Sequence, residues 1–220
     1  MWIKICGIKD VETAQRIAAM GPDAIGLNFY QPSPRAVDFT VAAQIAAKLP
    51  DSVEPVGLFV NHTEEEIRAG AKTCNLLTVQ LHGDEPPGFS AAFPELKIIR
   101  ALRVGSDGLD ELSAYLAECN QLGTMPNYCL VDAHVPGQYG GTGQTVSWKM
   151  LAREYRRDEW PPLILSGGLT PENVADAIRA CRPWGVDVSS GVESTRGVKD
   201  LELVQRFIEA VRGVDLNENA

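Results

Sequence analysis

Apolar residues recur along this chain in short, nearly unbroken runs, separated by longer stretches with helical spacing. Runs rich in branched or aromatic side chains cover 2–6, 23–29, 54–60, 76–81, 96–102, 127–132, 162–166 and 185–189. Because they do not alternate apolar with polar, they predict parallel strands covered on both faces. Helical periodicity fills 10–20, 38–48, 63–73, 107–119, 147–155, 171–181 and 198–212, while 86–93 is short, proline-flanked and the weakest of the set. Thr63 ahead of Glu64-Glu65-Glu66 predicts a capping box closed by Glu66. Thr170-Pro171-Glu172 predicts a helix opening at the proline with the threonine hydroxyl as its cap. Strand followed by helix eight times predicts an α/β protein, a single-domain (β/α)8 TIM barrel over 1–213 around a central parallel eight-stranded barrel. A polar tail at 214–220 follows it. An open doubly wound sheet is the alternative, but it would more often carry five to seven strands.

Charge narrows the partners. The 220 residues include 20 Lys+Arg and 29 Asp+Glu, a formal charge of −9, which speaks against nucleic acid or an anionic membrane surface. With 45% hydrophobic and 22% charged residues the chain is ordinarily globular. No run approaches the roughly 20 apolar residues that cross a bilayer, and Met1–Gly7 reads as a strand without a basic leader. The five cysteines (6, 74, 119, 129, 181) show no C-x-x-C spacing and read as reduced thiols of a cytoplasmic protein. Histidines 62, 82 and 134 form no H-x-x-x-H pair, so no metal site is expected. No long apolar stripe lies outside the inferred core, so a monomer is the default and a homodimer the alternative.

A barrel carries its chemistry at the C-terminal ends of its strands. That rule selects Cys6-Gly7, Asn28 with the loop Gln31–Arg35, Asn61, Gln80–Asp84, Arg103, Asp132, Ser166-Gly167-Gly168 and Ser189-Ser190-Gly191. Glycines let backbone N–H groups approach a ligand, so the last two turns read as a phosphate site made of Gly167, Gly168, Ser189, Ser190 and Gly191. Such a site explains how an acidic protein holds an anion without a lysine cluster. The loop Gly137–Gly143 fits neither nucleotide motif and reads as a lid rather than a cofactor site. Cys6 and Asp132 are the candidate proton-transfer pair: a strand-end carboxyl in a dry mouth can act as an acid, and a thiolate as a base. Cys74, Cys119, Cys129 and Cys181 read as small hydrophobes. His82 is either a ligand contact or a capped strand-end histidine. Arg35, braced by prolines, suits a carboxylate or phosphate by two parallel hydrogen bonds.

Several of these segments carry a resemblance. Lys4-Ile5-Cys6-Gly7, Ser33-Pro34-Arg35, Val56–Asn61, Val79–Glu85, Val131-Asp132-Ala133, Tyr139–Gly143, Gly167–Val174 and Gly185–Glu193 together resemble the phosphoribosylanthranilate isomerase family of tryptophan biosynthesis. They fall in order from residue 4 to about 200. The resemblance implies an Amadori rearrangement of N-(5-phosphoribosyl)anthranilate to 1-(2-carboxyphenylamino)-1-deoxyribulose 5-phosphate, with no cofactor and a phosphorylated aminosugar as the small-molecule partner. It implies Asp132 as general acid and Cys6 as general base. Arg35 would address the anthranilate end, His82 and Asp187 would define the pocket, and Gly143 would border it. Gln144, His134, Ser166 and Asn28 depart from the family's usual residues, which bears on affinity rather than reaction class.

Other barrel chemistries remain as rivals. One is a related sugar-phosphate isomerase or epimerase. Another is the indole-forming synthase of the next step, which would need lysine and glutamate at strand ends; Lys4 is the only lysine expected near the site. A two-substrate isomerase would carry aspartate where strand 1 ends in cysteine. A catalytically dead phosphate-binding barrel would lack Cys6 or Asp132.

Overall fold

A computed structural model describes residues 1–105, 108–133 and 147–214. Eight parallel strands close into one barrel in sequence order. They are β1 (Trp2–Cys6), β2 (Ala24–Asn28), β3 (Glu54–Phe59), β4 (Thr78–Leu81), β5 (Lys97–Val104), β6 (Tyr128–Ala133), β7 (Leu163–Leu165) and β8 (Gly185–Val188). The closing pair, β1 on β8, runs from Trp2 opposite Gly185 to Ile5 opposite Val188. Among the described residues seven α-helices cover the outside: α1 (Val11–Ala18), α2 (Phe39–Ala46), α3 (Glu64–Thr73), α4 (Asp110–Leu122), α5 (Trp148–Glu154), α6 (Val174–Cys181) and α7 (Leu201–Arg212). The weak segment after β4 is a 3-10 helix, Pro87–Ala92. Pro86 and Pro87 stand before and at its first position, and Gly88 weakens the backbone's helical preference in so short a segment.

The strands are largely apolar because both faces are covered. β2, β4, β7 and β8 have every residue buried. α7 shows the matching stripe, burying Val204, Phe207, Ile208 and Val211 at helical spacing. The capping box of α3 is present, with Thr63 Oγ1 accepting from Glu66 N–H and the Glu66 carboxylate accepting from Thr63 N–H. The helix expected to open at Pro171 begins instead at Val174. Asn173 explains the delay: its Oδ1 accepts Thr170 N–H at 2.8 Å and its Nδ2 donates to Gly168 O at 3.0 Å, tying 168–173 into a turn. The final helix also starts later than its pattern, because Val198–Lys199 (β10) pairs antiparallel with Glu193–Thr195 (β9). Asp200 then caps α7.

Inside the barrel the side chains form two levels. Ala24, Val56, Ile99, Ala101, Leu130 and Ile164 make a separate apolar cluster with Trp2 and Tyr128 packed on it. The next level towards the C-terminal mouth holds Lys4 on β1, Gln80 on β4, Asp132 on β6, Ser166 just past β7 and Asp187 on β8, all buried. Among the described residues no helix is long and apolar enough to cross a membrane. The tail from 215 lies outside the described residues, as do the loop 135–146 and, within and beside it, His134, Gly143 and Gln144.

Candidate active site

Lys4 stands at the centre of the upper level. Its ammonium is fully buried and donates to Asp187 Oδ1 at 2.7 Å and to Gln80 Oε1 at 2.9 Å. Ser166 Oγ donates to the other carboxylate oxygen of Asp187 at 3.1 Å. Gln80 Nε2 lies 2.8 Å from His82 Nδ1, and His82 Nε2 lies 3.5 Å from Asp132 Oδ2. Ser166, Asp187, Lys4, Gln80, His82 and Asp132 therefore form one chain across the barrel. Burial alone would discharge Lys4, but the Asp187 carboxylate and the nearby Cys6 sulfur outweigh it and push the ammonium's pKa up.

Cys6 ends β1 and is 5% exposed. Burial pushes its thiol up, and the Asp187 charge adds to this, while Lys4 and Lys199 pull the other way. Gly26 opposite makes room for the sulfur: a Cβ there would sit 2.6 Å from Cys6 Sγ and 2.9 Å from its Cα. Asp132 stands one residue before the end of β6 and is 4% exposed. Around the ring, β7 and β8 lie between these two residues.

The turns after β7 and β8 pack against each other at the mouth. Gly167 and Gly168 have positive φ (82° and 65°). Gly191 approaches so closely that a Cβ on it would lie 1.8 Å from Leu169 O. A small cleft is lined by Asp132, Asp187, Ser166 and the turns 167–169 and 189–191. The turn after β8 continues into a one-turn 3-10 helix, Ser190–Val192, whose N-terminal end opens on this cleft. A larger cavity of about 520 Å³ lies between α2 and α3 at the opposite end of the barrel, remote from this chemistry.

Arg35 does not stand free. Its Nε and Nη2 hold the two Glu193 oxygens at 2.7 and 2.8 Å, so the two-pronged partner expected from solution is a carboxylate of its own chain. The outer Nη edge is what remains for a ligand. Its loop is organised by Asn28, whose Oδ1 accepts Tyr30 N–H and whose Nδ2 donates to Ser33 Oγ. Asn28 and Ser166, the two described departures from the family pattern, thus both have hydrogen-bonding work. His82 sits on a turn fixed by Glu85, which accepts from the Asn61 and Gly83 N–H groups and pairs with buried Arg100.

Lys199 escaped the sequence reading, and Lys4 is not the only lysine near the site. The β9–β10 hairpin swings Lys199 Nζ to Ser189 O (2.9 Å) and Glu193 Oε1 (2.8 Å). Burial lowers the Lys199 pKa against the pull of Glu193. Glu193 suffers burial too, yet hydrogen bonds from Arg35 and Lys199 bring its carboxyl down to about 2. The synthase rival gains nothing from this lysine, whose ammonium is already engaged by Glu193 and Ser189. The signal was Glu193 and Lys199 in one short hairpin, too brief to register as strands.

A closed ring of eight parallel strands, with ionisable groups gathered at its C-terminal mouth, defines a (β/α)8-barrel enzyme. A family model for N-(5'-phosphoribosyl)anthranilate (PRA) isomerase matches residues 3–210. The N-(5'-phosphoribosyl)anthranilate isomerase of Hahella chejuensis is 42% identical over 208 residues, covering 94% of this chain and 92% of the relative. The crystal structure of the Thermotoga maritima phosphoribosyl anthranilate isomerase superposes with a TM-score of 0.84 at 37% identity, covering 97% and 99% of the two chains. Another such isomerase, solved in complex with reduced 1-(o-carboxyphenylamino)-1-deoxyribulose 5-phosphate, gives 0.81 at 35% identity over 97% and 99%. The chain belongs to the N-(5'-phosphoribosyl)anthranilate isomerase family, and it is an isomerase of tryptophan biosynthesis.

Proposed function

We propose that this enzyme rearranges N-(5-phosphoribosyl)anthranilate to 1-(2-carboxyphenylamino)-1-deoxyribulose 5-phosphate, with Asp132 as general acid and Cys6 as general base. The observation that carries the reading is positional: the acid and the base flank the two glycine-serine turns, one strand on either side of β7 and β8. A phosphate anchored by Gly167, Gly168, Ser189, Ser190 and Gly191 would lay the sugar between them. The ligand of the solved relative is a reduced form of the proposed product, which supports a phosphorylated substrate of this class.

Protonated Asp132 donates to the furanose ring oxygen as the C1–O bond breaks. The anthranilate nitrogen supplies the electron pair that becomes the C1=N bond. The Cys6 thiolate then removes the C2 proton, and those electrons form C1=C2 while nitrogen regains its lone pair. The enol proton then leaves the C2 oxygen for the Asp132 carboxylate while the Cys6 thiol returns its proton to C1, which gives the ketone and restores both groups. Every electron pair stays within the substrate, so the steps as written call on no other group. Burial keeps the resting thiol protonated, while Lys4 and Lys199 offset that burial for the thiolate. Asp187 holds Lys4 in place, and the outer edge of Arg35 faces the anthranilate carboxylate.

The test is a fluorescence time course on freshly generated phosphoribosylanthranilate. Wild type is expected to extinguish the anthranilate-like emission, and Asp132→Asn and Cys6→Ala to slow this about 10²–10⁴-fold with the fold intact. Near-normal turnover in either variant would remove that residue's role.

A further inference from the structure

The direction of each hydrogen bond in the Lys4–Gln80–His82 chain is fixed by its first member. An ammonium has donors only, so the Gln80 atom 2.9 Å from Lys4 Nζ is the carbonyl oxygen. The amide nitrogen therefore faces His82 and donates to Nδ1 across 2.8 Å. A nitrogen that accepts carries no proton, which leaves the imidazole's single proton on Nε2. That N–H is buried and makes no hydrogen bond among the described residues; Asp132 Oδ2, at 3.5 Å, is the acidic group beside it.

We infer that Gln80, oriented by Lys4, is a positioning residue that locks His82 as the neutral Nε2–H tautomer and so presents an uncharged donor beside Asp132. The lock works against both alternatives. The other tautomer, or an imidazolium, would point a second N–H at the Gln80 amide hydrogens, and Gln80 cannot turn round without aiming its NH₂ at the Lys4 ammonium. Gln80 is wholly buried, so no water relieves either clash.

The charge state has a chemical consequence. An imidazolium beside Asp132 would form an ion pair with it and favour the carboxylate over the acid that ring opening requires. A neutral N–H favours neither form to the same degree, yet can still donate to Asp132 or to a sugar oxygen placed between them. The role given to His82 here rests on Asp132 being the proton donor, as proposed above.

Nitrogen NMR on the full-length enzyme tests the lock directly. Long-range proton–nitrogen correlations report the tautomer of each histidine, and the His82 set is identified by its loss in His82→Asn. Wild type at neutral pH is expected to show His82 as Nε2–H. Gln80→Glu keeps the shape but replaces the donor by an acceptor, so His82 is expected to move to Nδ1–H or to the doubly protonated form. In that variant kcat is expected to fall roughly tenfold or more while KM changes little. An unchanged melting temperature in Gln80→Glu separates this from damage to the fold. A wild-type His82 carrying its proton on Nδ1, or on both nitrogens, overturns the lock. So does a Gln80→Glu enzyme whose tautomer switches with no loss of kcat. Absence of turnover by wild type would instead defeat the proposed reaction and leave the tautomer measurement standing.

Discussion

Below the level of Lys4 the barrel is plugged by Ala24, Val56, Ile99, Ala101, Leu130 and Ile164; at that level and above it holds Lys4, Gln80, His82, Asp132, Ser166 and Asp187. β6 and β7 feed both halves, with Leu130 two residues below Asp132 and Ile164 two below Ser166, and both halves are buried. The lower half tolerates exchange of one branched side chain for another of similar volume, since its attraction is non-directional. In the upper half each group is a donor or acceptor with a named partner, so deleting one strands the next. Dryness stabilises the first arrangement and makes the second chemically specific.

The largest expected break in that comparison is Lys4→Met. It leaves Asp187 buried without its cation and should cost about 3–5 kcal/mol in urea unfolding. A cost near zero would show that the two halves follow the same rules. Acid is the next probe. Glu193 is held down to about 2, against 4.5 for an ordinary glutamate. Its stabilisation is complete above about pH 4.5 and disappears as pH falls towards 2, a loss of at most about 3 kcal/mol. Urea titrations between pH 5 and 2.5 should show this slope in wild type and a flatter one in Glu193→Gln.

A third test follows from the raised Cys6 thiol. Because the protonated form dominates at neutrality, alkylation of Cys6 by iodoacetamide, which needs only the thiolate, should speed up about tenfold per pH unit and still be rising at pH 8.5. A plateau below pH 8 would mean that the lysines outweigh burial. The smallest effect belongs to the lower half: Ile164→Val should cost about 0.5–1.5 kcal/mol and leave turnover per folded molecule unchanged.

The contrast also explains what could be read from the chain in advance. Buried parallel strands leave long apolar runs, and all eight were visible within a few residues of their ends. Strand-end positions followed from the architecture, so Cys6, His82, Asp132 and the two turns could be singled out, while Asp187 entered only through the family resemblance. Lys4 interrupts an apolar run, and nothing local says that its countercharge lies 183 residues away. Lys199 depends on a two-residue strand, shorter than any periodicity can register. The delayed start of α6 came from Asn173, whose turn competes with the proline signal at 171. Arg35 was found, but not Glu193 as the partner that occupies it.

The link between Lys4 and Asp187 also ties function to the time course of synthesis. A ribosome that has made β1 through β7 has produced Cys6, Asp132 and Gln80, but not the carboxylate that receives Lys4. Closing that loop costs on the order of 4–5 kcal/mol of chain entropy, so the pairing waits until neighbouring strands have brought both ends together. Catalytic competence therefore arrives late and at once. A product interrupted between β6 and β8 would carry the proposed acid and base without the framework that makes them a pair.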